Sequence, residues 1–340
     1  MHRRCKTLIS VIIATYNYGH YIDTLIKQIQ SQTYANFEVV IVDDGSTDRT
    51  PEMLRNLTMK DDRFKIIRID NLGQGIARVV GFEHTKGEYI TFADSDDAVA
   101  IDWLETLHRD LIQSQSDIVN LGVQEFSKTP PASVRADHGK IRVLGQKDAY
   151  IAWLIDKELK GFLWNKGFRR ELLEKVFTPL NFNYLEDSYT VLKALNEAVT
   201  VCDDSKVCYF YRIHRDSSVW KKYRESDKEA IKAIEEEMKT HVVKQYPELK
   251  PLCGLRMAKL DMFLMERMTL NDLRKNEQLL IDLRQRISNA KEYKNQYFNI
   301  VDVLLIGGFY NLKLTFLLLR IRGILVKIQR HLRMLKQVHK

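Results

Sequence analysis

The stretch 90-ITFADSDDAV-99 sets Asp94, Asp96 and Asp97 directly behind an apolar run. Two carboxylates one residue apart at a strand end are a donor set for a hard divalent cation. Mg²⁺ and Mn²⁺ take oxygen ligands, and they keep waters and substrate phosphates beside one or two protein carboxylates. Asp94 and Asp96, flanking Ser95, are therefore candidate ligands for Mn²⁺ or Mg²⁺ shared with a phosphorylated molecule. Acids also favour helix N-termini. That accounts for Asp97 or Asp102, but not for three acids after an apolar strand.

Three other clusters carry chemistry. In 43-DDGSTD-48, a carboxylate of Asp43 or Asp44 can accept hydrogen bonds from a base N–H or from ribose hydroxyls. One of the pair also suits an Asx-turn ahead of a helix. In 71-NLGQGIAR-78, Gly73 and Gly75 let backbone approach a ligand. Arg78 lies one turn into the following helix. It reaches a phosphate or an acidic partner such as Asp94, or it is an ordinary surface arginine. Glu186-Asp187 precedes the helical pattern Val191, Leu192, Leu195. A carboxylate there is stabilised as an anion, and taken by itself the spacing favours a cap over a catalytic base.

The elements that must position these groups alternate. Leu8–Ala14, Phe37–Val42, Phe64–Ile69 and Glu88–Ala93 read as strands, with helical periodicity over Tyr21–Thr33, Asp48–Leu57 and Gly75–Thr85 between them. Thr50 is the expected cap of the second helix, with Pro51 in its first turn. This alternation predicts an α/β fold with a mostly parallel sheet and helices on both faces. Ligands bind outside the carboxyl ends of such strands. TYNYGH, DDGSTD, DNLGQG and DSDD all follow strands and should share that edge. Downstream, Trp103–Gln113 reads as helix and Asp117–Val123 as strand. Residues 127–147 read as a surface excursion, 147–159 and 169–176 as helix, 177–186 as loop, and 206–213 as a final strand. The expected domains are 1–220, catalytic, and 221–340, a C-terminal α-helical extension. No G-x-G-x-x-G follows the first strand and no G-x-x-x-x-G-K-[ST] occurs, which weighs against dinucleotide-binding and P-loop proteins.

The net charge of +8 is local. Residues 303–340 hold eight Lys or Arg and no acid, while the preceding residues balance at 45 bases and 45 acids. A nucleic-acid binder needs a broadly basic face, so no nucleic-acid partner is expected. In the tail, Leu314, Leu317, Ile321, Ile324, Ile328, Leu332 and Leu335 form one helical stripe flanked by bases. The longest charge-free run, Val303–Leu312, is too short to span a bilayer. The tail therefore suits an amphipathic helix on an anionic membrane surface, or one packed on this protein or a partner. Four cysteines without a C-x-x-C pair, and an N-terminal apolar run lacking a cleavage site, suggest a cytoplasmic protein.

Taken in order, SVIIATYN, VVIVDDGSTD, N-x-G-x-G-x-A-R, GEYITFADSDD, WNKGFRRELL, LEDSY and YRIHRDSS resemble the family-2 glycosyltransferases of GT-A (Rossmann-like) fold. The resemblance covers about residues 7–218 and is similar to bacterial enzymes that build capsule, exopolysaccharide or other surface glycans. It implies donor contacts at Thr15, Tyr16, Asn17, Asp43, Asp44, Asn71, Arg78, Asp94, Ser95 and His214. It further implies metal ligands at Asp94 and Asp96, Asp187 as catalytic base, and a segment with Tyr211, Arg212, His214 and Ser217 that closes over the diphosphate. The implied reaction is inverting, metal-dependent and non-processive. It moves a sugar from a nucleotide-diphospho-sugar, UDP by family habit, to a hydroxyl of a glycan or lipid-linked acceptor. The implied setting is the inner face of the cytoplasmic membrane, held peripherally through the tail. Val79, where the family often has Asn, and Gln74-Gly75-Ile76, where it often has Ser, depart from the pattern. A sugar nucleotidyltransferase is disfavoured because ATYNYGH replaces G-x-G-T-R. A degenerate membrane scaffold is disfavoured by intact Asp94, Asp96 and Asp187.

Overall fold

The computed structural model describes residues 7–131, 139–214, 222–289 and 315–325. Contacts divide the chain into two compact units, Met1–Ala149 with Glu158–Ile213, and Tyr150–Lys157 with His214–Lys340.

The first unit is built on a mixed sheet in the order β3-β2-β1-β4-β8-β6-β9-β5, with β7 also on β9. Strands β1 (Ile9–Thr15), β2 (Phe37–Asp43), β3 (Phe64–Arg68) and β4 (Tyr89–Asp94) are mutually parallel, as the alternating pattern requires. Every residue of β1 is buried, which is why ISVIIAT shows no polar alternation. On one face, Val11, Ile13, Val39 and Ile41 pack with Ile22, Leu25, Ile26 and Ile29 of α1 (Ile22–Gln30). On the other, Ala14, Val40 and Val42 meet Ala77 of α3 (Gln74–Glu83). Each of these Val, Leu and Ile side chains contributes about 1.5–3 kcal/mol by leaving water. Between them, α2 (Thr50–Thr58) starts differently from the expectation: Thr50 is its first residue and donates its amide and hydroxyl to Asp48 Oδ1, so Asp48 supplies the cap oxygen.

After β4 come β5 (Ala98–Val99), α4 (Trp103–Ser114) and β6 (Ile118–Phe126). Three features here differ from the sequence reading. Part of the supposed surface excursion is β7 (Ile141–Gly145), antiparallel to β9. Helix α5 (Gln146–Ile155) then leads to β8 (Lys166–Arg169), a four-residue strand antiparallel to both β4 and β6. Its sequence KGFR carries no apolar pattern. Helices α6 (Arg170–Val176) and α7 (Glu186–Glu197) precede β9 (Thr200–Arg212), which begins six residues before the stretch that reads as strand. Asp203 and Asp204 hide it. Both are buried, Asp203 with Asn120 and Arg142 and Asp204 with Arg109. Gly122 is needed where β6 shifts register on β9, since a Cβ there would lie 2.4 Å from the Ser205 carbonyl oxygen.

The described part of the second unit is helical: α8 (Asp227–Glu237), α9 (Lys250–Met265), α10 (Leu270–Lys275) and α11 (Glu277–Ser288). Of the basic tail, residues 315–325 form a helix. Thr315, Leu319 and Arg322 are buried; Arg322 pairs with Glu266 and Arg320 donates to the Met268 carbonyl at 2.9 Å. Two of the bases expected to flank a lipid surface thus face this unit. Leu317, Ile321 and Ile324 are exposed. Leu314, Ile328, Leu332, Leu335 and the remaining tail bases lie outside the described residues, as do Cys5 and Ser217. Among the described residues no helix is long and apolar enough to cross a membrane.

Candidate active site

The parallel order β3-β2-β1-β4 carries the four polar turns to one edge. Register aligns Thr15 with Asp43 and Ala14 with Asp94, so β1 alone separates the two acidic turns. Thr15 is buried, and its hydroxyl finds no hydrogen-bond partner among the described residues. Tyr16 is exposed. Asn17, at φ 58°, ties the first turn to the second: its amide donates to Ser46 Oγ at 2.9 Å, and its Oδ1 accepts from the Thr47 amide at 2.8 Å.

Asp43 and Asp44 are both buried, with different duties. Asp43 accepts from the Ser46 amide at 3.0 Å and from Arg68 at 2.7 Å. Asp44 accepts from the Leu72 and Gly73 amides at 2.8 and 2.9 Å, which ties the second turn to the third. Neighbouring Asn71 is exposed.

Arg78 joins the metal motif to the candidate base. Its two terminal nitrogens lie 2.7 Å from Asp94 Oδ1 and 2.5 Å from Asp187 Oδ1, with Glu186 Oε1 at 3.6 Å. Gln74 adds a bond to Asp94 Oδ1 at 3.1 Å. Burial disfavours the Arg78 charge, but Asp187, Asp94 and Glu186 outweigh it and hold the guanidinium charged. Burial raises the pKa of Glu186 to about 8, helped by the neighbouring Asp187 and opposed by Arg78. Asp187 also rises, through burial first; Arg78 opposes, Asp94 adds, and a hydrogen bond from the Leu163 amide favours the carboxylate. The two side chains are 16% and 17% exposed, so they stay open to a small reactant. A small pocket beside them is lined by Gly75, Arg78, Leu163, Phe177 and Asp187.

The three acids of the DSDD turn separate. Asp94 faces Arg78. Asp97 is fully buried, accepts from Tyr209 at 2.8 Å and the Arg212 amide at 2.7 Å, and is pushed toward its neutral form by burial and by Asp96 and Asp94. Tyr209 in turn accepts from the Asp94 amide at 2.9 Å. Ser95 is buried. Arg212, expected over a diphosphate, is instead buried behind the turn, donating to the Asp96 carbonyl at 2.6 Å. Tyr211 stacks on Trp164, and His214 falls in the second unit. Asp94 and Asp96 supply oxygen donors only. Among the described residues no group of three or more His, Cys, Asp or Glu forms a cage. That set fits Mg²⁺ or Mn²⁺ shared with a substrate diphosphate, and not a closed structural metal site.

Three residues of this site are not visible as such in the sequence: Gln74, Tyr209 and Lys166. Lys166 is fully buried, and its ammonium donates to the carbonyls of Lys160 and Phe162 at 2.8 Å each and to Asn165 Oδ1 at 2.9 Å. The W-N-K-G stretch was the available signal, but a lysine beside Arg169 and Arg170 reads as surface.

A sheet whose parallel half ends in an acidic turn that faces a half-buried carboxylate pair belongs to a GT-A glycosyltransferase. The sequence pattern described as Glycosyl transferase family 2 matches residues 10–177, and the chain belongs to that family. It is 37% identical over 197 residues to the putative teichuronic acid biosynthesis glycosyltransferase TuaG of Bacillus subtilis, covering 52% of this chain and 77% of TuaG. It is 33% identical over 215 residues to the putative glycosyltransferase EpsH of the same organism, and spans 62% of EpsH, less than two thirds of its length. Among solved structures, TarS of S. aureus in complex with UDP-GlcNAc superimposes with a TM-score of 0.65 over 91% of this chain and 90% of that one, at 19% identity.

Proposed function

We propose that this chain is an inverting, metal-dependent, non-processive glycosyltransferase. It moves a sugar from a nucleotide-diphospho-sugar, UDP-linked by preference, to a hydroxyl of a glycan or lipid-linked acceptor in surface-polysaccharide synthesis. The observation that carries this reading is the single guanidinium of Arg78 between Asp94 and Asp187, which sets the leaving-group end and the base end of a displacement side by side. The name of TuaG and the UDP-GlcNAc bound by TarS support the substrate class.

Thr15, Tyr16, Asn17, Asp43, Asp44 and Asn71 would surround the nucleoside, with Ser95 on the diphosphate side. Asp94 and Asp96 would hold Mn²⁺ or Mg²⁺, which when bound supplies positive charge to the departing diphosphate. Asp187 takes the proton of the acceptor hydroxyl as its oxygen bonds to the anomeric carbon and the bond to the diphosphate oxygen breaks, in one inverting step. Arg78 keeps Asp187 oriented, and the Leu163 amide favours its ionised form. The exposed Leu317, Ile321 and Ile324 support peripheral attachment to the inner face of the cytoplasmic membrane.

The test is UDP release from UDP-sugars with Mn²⁺, with Mg²⁺ and with chelator. Cation-dependent release of UDP from one sugar donor is expected. Equal release under chelation would sink the metal requirement, and no release from any nucleotide sugar would sink the transferase assignment.

A further inference from the structure

Phe162 lies on the loop that enters β8, between two anchors. Its own carbonyl accepts from the buried Lys166 ammonium, and the next residue, Leu163, lines the same small pocket as Asp187. At Gly161 a Cβ would lie 2.4 Å from Ser188 Oγ, so the loop presses on the first turn of α7. Phe162 is 39% exposed. Its ring stacks on Trp164 at 4.7 Å and 13°, and Trp164, itself buried, stacks on Tyr209 at 4.5 Å and on Tyr211 at 5.4 Å. Tyr209 is the residue that receives the Asp94 amide. A continuous aromatic column therefore runs from behind the metal motif to an open ring beside the base.

Topology says which side of the reaction that ring serves. Along the sheet edge, β3, β2 and β1 carry the turns assigned to the nucleoside, and β4 carries Asp94. Strand β8 comes next, on the far side of β4 from the nucleoside turns. It runs antiparallel to β4, with Thr91 opposite Gly167, so its entering end points toward the Asp94 end of β4. Moving away from the nucleoside turns, the edge carries first the Asp94 turn and then the loop that holds Phe162.

We propose that the open face of Phe162 is the platform for the acceptor, and that the group it takes is a pyranose ring. This rests on the transferase reading above. An aromatic face is electron-rich and meets the C–H face of a sugar, and a ring already held by stacking loses little freedom on contact. Lys166 and Trp164 fix the loop before any sugar arrives. The platform thus sets the acceptor hydroxyl's distance from Asp187.

The experiment is saturation-transfer NMR of the full chain with the methyl β-glycosides of glucose, galactose and N-acetylglucosamine, on the native protein, Phe162→Ala and Phe162→Trp. The expected result is transfer to the ring protons of at least one glycoside, weakened about threefold to tenfold in apparent affinity by Phe162→Ala and retained by Phe162→Trp. A UDP-induced rise in melting temperature in each variant shows that the sheet edge is folded. Equal binding in all three proteins, or none to the native chain, overturns the platform. Loss in Phe162→Ala alone, in a protein that releases UDP from no nucleotide sugar, keeps the sugar platform and removes the transferase reading.

Discussion

Arg78 and Asp187 stand 109 positions apart in the chain and 2.5 Å apart in space. The same guanidinium reaches Asp94 at 2.7 Å, and its side chain is 3% exposed. One cation thus serves carboxylates from β4 and α7, and holds the two acidic segments together.

Arg78→Met removes that shared charge and leaves the carboxylates of Asp94 and Asp187 without their common partner in a mostly buried site. Losing one partner of such a cluster costs about 3–5 kcal/mol, so the urea midpoint should fall sharply. Arg78→Lys should recover only part, because one ammonium cannot fork to two carboxylates as a guanidinium does. An unchanged midpoint in Arg78→Met would show that the cluster carries no stability.

Asp187→Asn keeps the size of the side chain and removes the carboxylate proposed as the base. Transfer should fall about 10²- to 10⁴-fold. The shift in melting temperature produced by UDP should remain, since the turns proposed to hold the nucleoside follow β1, β2 and β3. Near-native transfer would mean that another group takes the proton.

Glu186 gives a pH signature. Its pKa rises from 4.5 to about 8 through burial and Asp187. Between those values the folded chain binds more protons than the unfolded chain. Stability from this group is therefore full below about pH 4.5 and is lost as pH rises toward about 8. Glu186→Gln should flatten that loss in denaturation measured across the window. An unchanged loss in Glu186→Gln would show that another group carries it.

Gly73 sits at φ 97° and ψ 156°, a conformation open essentially to glycine alone. An added Cβ would also lie 2.8 Å from Asn183 Oδ1, in the loop before α7. Gly73→Ala should cost about 1–3 kcal/mol and weaken UDP binding, because the Asp44 carboxylate is bonded to this same turn. Thermal melting with and without UDP reads both effects.

The triple substitution Leu317→Ser, Ile321→Ser, Ile324→Ser changes only side chains that are 54%, 40% and 58% exposed, so the melting temperature should hold. Co-sedimentation with phosphatidylglycerol vesicles should drop about tenfold or more, from the loss of apolar area available to the lipid. Unchanged sedimentation would assign any lipid contact to other residues.

The parallel half of the sheet is legible in the chain because its strands are buried on both faces and so leave unbroken apolar runs: ISVIIAT in β1 and FEVVIVD in β2. The turns follow from it, since parallel neighbours must release their carboxyl ends on one edge. Strand β8 is not legible, because two of the four residues in KGFR are charged and Lys166 is held by carbonyls from its own loop. The start of β9 is masked in the same way by Asp203 and Asp204, whose partners Asn120, Arg142 and Arg109 come from β6, β7 and α4.

By itself, the sequence determined where the backbone runs apolar and which acids, glycines and arginines follow each run. Those features depend on neighbours a few residues away. Tertiary structure decided what each charged group does: that Asp97 turns inward to Tyr209, that Asp44 holds the Leu72–Gly73 turn, that Arg212 sits behind the DSDD turn, and that Arg78 meets Asp187. A buried charge persists only where opposite charge or donors converge on it. Those partners arrive from distant segments, so no local pattern can name them.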